Sequence, residues 1–190
     1  AYEYYLRAKY KFENYFDSKD RSFIRGLLEK AIEIDTNFVQ ASNLLALTYS
    51  TNLENNKAIE LYQKNIKKAD KINAFNEKAY ALTKIGVIHR KNKDYKLSAK
   101  YFDQALKIQI MYDDIPGQAN TLHSLGKLQY KNHDRKGAHD NFMKSLELSE
   151  KSGDLINKIG VYLELRNIYR RYFNVDYYDT TKAAEYLVQA

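Results

Sequence analysis

Apolar side chains recur three and four residues apart along most of the chain, which is the spacing of helices with one buried face. In residues 79–90 this stripe includes Ile85 and Ile88, and a polar break at residues 91–94 follows it. Residues 95–110 then carry a second stripe at helical spacing. The pattern predicts two helices joined by a tight turn.

Turn-forming residues separate one such pair from the next. Residues 113–117 and Gly153 interrupt the apolar pattern. Pro116 follows shortly after Asp114, an order typical of the start of a helix. A new helix is therefore expected to begin near Pro116.

The helix pairs repeat with a period of 40 residues. Four sets of positions keep their character across three units: the small residues Ala46, Gly86 and Gly126; then Ala58, Ser98 and Ala138; the aromatic residues Tyr62, Phe102 and Phe142; and finally Asn65, Ala105 and Ser145. Two helices cross closely only where a side chain is small, and a ring on the second helix fills the remaining space. We therefore expect the small residue of each first helix to face the aromatic residue of the second.

The order of these residues is similar to the tetratricopeptide repeat, with Leu125-Gly126 early in the first helix, then Ala138, Phe142 and Ser145 in the second. The common period of that family is about 34 residues, and the spacing of 40 resembles its long-helix branch. The resemblance implies an all-α fold, a right-handed superhelical solenoid of about five helix pairs. It implies a single domain over residues 1–190, with units near residues 1–38, 39–78, 79–118, 119–158 and 159–190.

The two ends depart from the pattern. Residues 1–38 resemble a divergent first unit, and residues 159–190 a degenerate last unit with an insertion at residues 174–179. Residues 1–10 are similar to the first repeat in the tetratricopeptide segments of bacterial class III nucleotide cyclases. Since the chain starts without Met and stops after the helix-like run 181–189, we expect it to be a piece of a longer protein.

Composition narrows the possible functions. The 190 residues carry a formal net charge of +7, and 44% of them are hydrophobic, which is typical of a basic globular protein. No apolar run reaches the length of about 18 residues that spans a bilayer. The absence of Cys removes thiolate zinc sites and a Cys nucleophile. No Gly-rich phosphate loop, Gly-x-Ser-x-Gly elbow or paired-carboxylate motif stands out. We expect a cytoplasmic protein without catalytic activity or cofactor.

The four His residues do not predict a metal site. No two of them have the i, i+4 spacing of a helical metal site, and no carboxylate motif accompanies them. His89 takes a slot that Tyr usually holds in the family, so it is expected to be packed or hydrogen-bonded. His123 is the one His expected in the binding groove.

The resemblance also implies where partners bind, because the first helices of such solenoids line a concave groove. Here the middle and C-terminal part of this predicted groove is rich in cations, and Glu164 is its single acid. The residues expected to contact a partner are Lys84, Arg90, Lys91, His123, Lys127, Tyr130, Lys131, Asn167, Arg170 and Arg171. Arg can hold a carboxylate through two hydrogen bonds, so the track favours acidic ligands. The alternative is a basic face that is merely solvated.

These features favour a protein–protein interaction module that binds an acidic peptide or partner domain, as the scaffold part of a bacterial signalling protein. Chaperone-binding members of the family hold a carboxylate terminus with a Lys/Asn/Lys/Arg clamp. Asn43 and Lys84 are present here without the rest of that set, so chaperone binding is not expected.

Two alternatives remain open. The Tyr-rich ends, at residues 2–15 and 169–178, suggest a regulatory segment that self-associates and serves an enzyme such as a nucleotide cyclase or histidine kinase. The second alternative, RNA binding, carries less weight because 24 acidic residues dilute the positive charge and no base-reading code recurs.

No helix combines a basic face with a broad apolar one, so membrane binding is not expected.

Overall fold

The described part of the chain is helical throughout. A computed structural model describes residues 1–14 and 20–172, with side chains as far as residue 168, and contains no strand there. The helices of this part are α1 (Tyr2–Asn14), α2 (Asp20–Ile34), α3 (Val39–Thr51), α4 (Asn55–Lys71), α5 (Phe75–Lys91), α6 (Tyr95–Met111), α7 (Ile115–Lys131), α8 (Arg135–Ser152) and α9 (Leu155–Tyr172). Helices α5 and α6 confirm the two helices predicted at residues 79–90 and 95–110. The predicted helix at residues 181–189 lies outside the described residues.

From α4 onward, successive helices begin every 20 residues. Their first residues are Asn55, Phe75, Tyr95, Ile115, Arg135 and Leu155. Each connection before them contains one residue with left-handed backbone: Leu53 (φ 62°), Asn73 (57°), Lys93 (65°), Asp113 (52°), His133 (65°) and Gly153 (72°). Left-handed backbone after a helix turns the next N–H back to the last helical carbonyls, as Asp94 N–H bonds to the His89 carbonyl at 2.9 Å. The 40-residue sequence repeat therefore consists of two structural halves of equal length.

Four aspartates at the same interval cap helices α6 to α9. The carboxylates of Asp94, Asp114, Asp134 and Asp154 each accept a hydrogen bond from the backbone N–H three residues later, at 2.9–3.2 Å. Such a cap satisfies an N–H that has no partner within the helix. The predicted start of a helix near Pro116 is confirmed, although α7 begins at Ile115 and the break predicted over residues 113–117 is correspondingly shorter.

The chain divides into two compact units, residues 1–88 and 89–190. They are called the first and second unit below and are larger than the predicted repeat units of about 40 residues. The core of the first unit lies between α1, α2 and α3, where small residues let the helices approach closely. Its buried members are Ala8, Ile24, Leu27, Leu28, Ala31, Ala41 and Leu45. Tyr5 and Phe38 pack against this core, with ring centroids 5.0 Å apart.

In the second unit the core lies between α8 and α9. Its buried members are Ala138, Phe142, Leu146, Val161, Tyr162, Leu165 and Ile168. Gly126 of α7 faces Phe142 so closely that a Cβ atom at residue 126 would lie 2.5 Å from the ring. The expected contact between the small and the aromatic residue is confirmed in this repeat. None of the described helices is both long and apolar enough to cross a membrane.

Candidate functional site

Polar side chains of α7 and α9 meet in the second unit, and the charge of Arg90 at the end of α5 acts on this group. His123 and Lys127 occupy successive turns of α7, and Glu164 lies on α9. The Lys127 ammonium is 3.1 Å from a Glu164 carboxylate oxygen, and about a third of each side chain is exposed (33% and 28%). The negative charge of Glu164 raises the pKa of Arg90, which lies on the last turn of α5, and the positive charge of Arg90 lowers the pKa of His123. We call Arg90, His123, Lys127 and Glu164 the cationic cluster.

Arg90 is the unusual member of this cluster. Its side chain is half-buried, and its Nε atom is fully buried without a hydrogen-bond partner among the described residues. Burial lowers the pKa of the guanidinium, while the charge of Glu164 opposes that shift. The group remains charged at neutral pH, since Arg is effectively always protonated in proteins. A charged group that is partly desolvated and unpaired is energetically unfavourable unless a ligand or solvent pairs with it.

Arg25, in the first unit, shows how a structural Arg of this chain is paired. Its Nη2 atom bonds to Glu54 at 2.7 Å and to the Thr48 carbonyl at 3.2 Å, and Nε donates to the Thr48 hydroxyl at 3.2 Å. The guanidinium also lies 4.1 Å from the centroid of the Tyr49 ring. Arg25 therefore links α2 to α3 and to the start of α4, whereas Arg90 has no such bonds within the described part of the chain.

A chain of hydrogen bonds fixes which ring nitrogen of neutral His123 carries the proton. The Ser145 and Ser149 hydroxyls donate to backbone carbonyls at 2.7 Å, so both oxygens accept from the Asn157 amide, at 3.0 and 2.8 Å. The carbonyl oxygen of Asn157 is thereby left to face His123 Nδ1, 2.8 Å away. Nδ1 must donate this bond and carries the ring proton. Nε2 is then a buried acceptor with no partner among the described residues.

Burial also keeps His123 neutral. Burial, with a smaller contribution from the charge of Lys127, lowers the pKa of the imidazole to about 4, against the opposing hydrogen bond to the Asn157 oxygen and the charge of Glu164. The ring lies edge-on to Phe142, with centroids 5.8 Å apart. His123 therefore contributes no positive charge at neutral pH, and its role in the cluster is that of a packed, hydrogen-bonded side chain.

The other predicted contact residues have different settings. Lys91, Lys131 and Asn167 are exposed, and Tyr130 packs against the core of the second unit. Lys84 belongs to the first unit, where its ammonium lies 4.8 Å from the centroid of the Tyr80 ring. Arg170 and Arg171 lie on α9, but their side chains are outside the described residues. The structure thus brings together Arg90, His123 and Lys127 of the predicted set.

Asn157 is the member of this site that sequence analysis missed. It lies 34 residues after His123, on the next first helix of the repeat array. The same separation joins Asn43 to Glu77 in the first unit, where the Asn43 amide donates to the Glu77 carbonyl at 3.1 Å. A search of the sequence for polar residues 34 positions apart on neighbouring first helices could have identified Asn157.

The remaining predictions for His residues concern the packing of His89 and the metal site. His89 is largely buried, stacks on Tyr101 with ring centroids 5.5 Å apart, and has Nδ1 3.7 Å from the Asp94 carboxylate. The prediction that His89 is packed is confirmed. Among the described residues, no group of three or more His, Asp or Glu side chains could hold a metal ion.

Paired helices that recur at regular intervals through the described residues define an all-α helical-repeat fold. Residues 77–151 match the family model for the tetratricopeptide repeat. This match and the fold confirm the resemblance inferred from the sequence. The likeness of residues 1–10 to nucleotide cyclase segments stays a prediction.

Two solved structures of similar fold cover nearly all of this chain. Aspartyl phosphate phosphatase F from Bacillus subtilis superposes with a TM-score of 0.73 at 17% identity, covering 98% of this chain and 57% of that protein. The apo form of RapI gives 0.72 at 17% identity, covering 99% and 83%. The chain thus spans little more than half the length of the phosphatase.

A kinesin light chain protein of Podospora anserina, described by its nearly identical TPR-like repeats, is also similar. It superposes with a TM-score of 0.64 at 15% identity, covering 99% of this chain and 91% of that protein. A search of curated protein sequences found no match. At these identities the likeness concerns the fold, which is a repeat architecture typical of proteins that bind other proteins.

Proposed function

We propose that this chain is a protein-interaction module that binds an acidic peptide or an acidic surface of a partner domain at the cationic cluster. Arg90 carries the proposal, because it is a half-buried guanidinium without an ion-pair or hydrogen-bond partner in the described part of the chain. In the same chain, Arg25 is paired through both Nε and Nη2, whereas Arg90 is not. A carboxylate from a partner would supply the missing charge.

The charges around Arg90 support an acidic ligand. Lys127 and Glu164 neutralise each other, so Arg90 provides one uncompensated positive charge in the cluster. Lys91 follows Arg90 in sequence, Lys131 lies one turn beyond Lys127, and both are exposed. Exposed cations of this kind attract an acidic partner over a distance of about 10 Å, and the half-buried Arg then supplies a directional contact.

The proposal is tested by selecting peptides from a random library on the wild-type chain, on Arg90→Glu and on Lys144→Glu. Lys144 is exposed on α8 and changes the net charge by the same amount, so it serves as the matched control. We expect acidic peptides from the wild type and from Lys144→Glu, and their loss from Arg90→Glu, with equal helical content by circular dichroism. Selection of acidic peptides by all three proteins would contradict a site at Arg90.

A second candidate function is self-association, as part of a regulatory segment of a bacterial signalling protein. One observation favours it: Tyr2, Leu6 and Tyr10 lie at successive turns of α1 and are 64%, 44% and 59% exposed. Such an apolar stripe is typical of a surface that contacts another protein. A sedimentation coefficient that rises with concentration in the wild type, and stays constant in Leu6→Ser, would favour this function.

A further inference from the structure

We propose that copies of this chain associate head to tail, with an exposed face of α1 in one copy packed on an exposed face of α9 in the next. The inference rests on the second candidate function, self-association, and specifies the two surfaces that meet. The α1 face consists of Tyr2, Leu6 and Tyr10, and the α9 face of Leu155, Ile156, Ile159 and Leu163. Neither face belongs to the cationic cluster.

Helix α9 carries apolar side chains on two sides. One side packs against α8 in the core of the second unit, through residues such as Val161 and Leu165. The other side is the α9 face, where Leu155, Ile156 and Leu163 are 56%, 86% and 39% exposed. A helix with apolar residues on two sides is typical of one that protein covers on both.

Helix α1 has the same two-sided character. Ala8 is buried in the core of the first unit, and Tyr5 packs against that core. The α1 face lies on the other side of the helix and is exposed. The ring of Tyr2 stacks on Phe38, with centroids 6.2 Å apart, so this exposed side chain is already held in place for a contact.

The two faces match in length and spacing. Tyr2 and Tyr10 are eight residues apart, as are Leu155 and Leu163, and each face has a further apolar residue midway between these two. Eight residues of helix span about 12 Å. Side chains at intervals of four residues form one continuous ridge, so each face can pack along the whole length of the other.

Helices α7 and α9 show how the first helices of this fold pack side by side. His123 of α7 contacts Asn157 of α9, and one turn later Lys127 contacts Glu164. Because the contacts advance in the same direction along both helices, the two helices are parallel. A parallel arrangement of α1 on α9 of a second copy therefore follows a packing that the chain already uses.

In that arrangement the charged residues at the ends of the two faces are complementary. Glu13 follows Tyr10 by three residues and Arg166 follows Leu163 by three residues, so the two lie at the same level. Both side chains are exposed. The Glu13 carboxylate is 4.0 Å from the Lys9 ammonium, and Arg166 has no ion-pair partner among the described residues. This complementarity favours a second copy of the chain as the occupant of the α9 face.

A contact between two different faces does not close on itself, so each dimer keeps one free face of each kind. The wild-type chain is therefore expected to grow beyond a dimer as its concentration rises. Since each face is small, a single contact is weak, and the growth depends on concentration.

The test uses Leu6→Ser, which alters the α1 face, and Ile156→Ser, which alters the α9 face. Analytical ultracentrifugation of the wild type at rising concentration is expected to give masses above that of two chains. Each variant alone is expected to associate at least about tenfold more weakly, since an apolar side chain is lost from the contact.

An equimolar mixture of the two variants is the decisive sample. Ile156→Ser supplies an intact α1 face and Leu6→Ser an intact α9 face, so we expect the mixture to form a dimer with the affinity of one wild-type contact. Leu53→Ser is the control, because Leu53 is 83% exposed and belongs to neither face. It should associate like the wild type. Circular dichroism of each variant establishes that the helices are retained.

Four outcomes overturn the inference. A monomeric wild type would mean that another part of the chain, or a different partner, covers the α9 face. Association of Ile156→Ser alone at wild-type strength would mean that α1 faces pair with each other, so self-association stands and the head-to-tail contact is wrong. Association of Leu6→Ser alone would likewise mean a symmetric contact between α9 faces. A mixture that stays monomeric also contradicts the inference. The peptide selection at Arg90 involves other residues, so its result is independent of all four.

Discussion

Tyr62 occupies a slot that holds Phe in the next two repeats. Tyr62, Phe102 and Phe142 are all fully buried, but only Tyr62 brings a hydroxyl, and that hydroxyl has no hydrogen-bond partner among the described residues. Burial raises the pKa of Tyr62 well above its ordinary value, so the phenol stays neutral. An unsatisfied buried hydroxyl is a feature that the apolar pattern of the sequence cannot reveal, since Tyr fits the pattern as well as Phe.

We expect Tyr62→Phe to leave the free energy of unfolding unchanged or to raise it by about 1 kcal/mol, because the desolvated hydroxyl is removed without loss of a hydrogen bond. Chemical denaturation monitored by circular dichroism measures the difference. The matched control is Phe142→Tyr, which places a hydroxyl at the corresponding position of the fourth predicted repeat, residues 119–158. It is expected to destabilise the fold by about 1–3 kcal/mol. A loss of stability in Tyr62→Phe would mean that this hydroxyl has a partner.

His123 makes the stability of the fold depend on pH. Burial holds its pKa at about 4 in the folded chain, below the ordinary value of 6.5. Between these two values the unfolded chain binds more protons than the folded chain, so the stabilisation present above pH 6.5 is lost as the pH falls toward 4. The contribution is at most about 3 kcal/mol. Denaturation from pH 7.5 to 4 measures it.

A substitution isolates this contribution of His123. His123→Asn keeps a side-chain N–H donor for Asn157 but cannot titrate, so its unfolding free energy is expected to vary less with pH than that of the wild type. His133→Asn is the control, because His133 is exposed in a turn. It should retain the dependence of the wild type. Parallel pH profiles for the wild type and His123→Asn would show that His123 is not the group responsible.

Each helix connection from α4 onward contains one residue with left-handed backbone, at intervals of 20 residues. The residue types at these positions differ in how easily they adopt that conformation. Gly153 adopts left-handed backbone without steric strain, and Asn73 and Asp113 tolerate it. Leu53, Lys93 and His133 adopt the same conformation with a larger side chain. The turn is imposed by the docking of the two helices that it joins, which outweighs the preference of the single residue.

For the connection between α5 and α6, we expect Lys93→Gly to raise the free energy of unfolding by about 0.5–1 kcal/mol, because Lys93 is exposed and only its backbone conformation is strained. Thermal unfolding provides the measurement. Gly153→Ala is the reverse experiment and should lower stability by about 1 kcal/mol. Equal stabilities of Lys93→Gly and the wild type would indicate that the entropy of the unfolded glycine cancels the relief of strain.

At the scale of the molecule, repetition made the helix pairs predictable. The residues of the four sets at 40-residue spacing are all buried, since a side chain of that size is needed at each contact between helices. The spacing of 20 between helix starts was less visible, because it depends on capping aspartates and on left-handed turn residues of varied type. The predicted repeat units and the assignment of residues 1–190 to one domain stay predictions.

The sequence by itself determined the secondary structure, the all-α repeat class and the identity of the packed positions, because these depend on side-chain size and polarity at regular spacing. Which cations are paired was decided only by the tertiary structure. Lys127 and Arg90 are both cations in the sequence, yet Lys127 forms an ion pair with Glu164, whereas Arg90 has no hydrogen-bond or ion-pair partner among the described residues. His123, expected to face a ligand, is neutral and bonded to Asn157. Both outcomes depend on which residues of separate helices are brought within hydrogen-bond distance, and spacing along one helix carries no information about that.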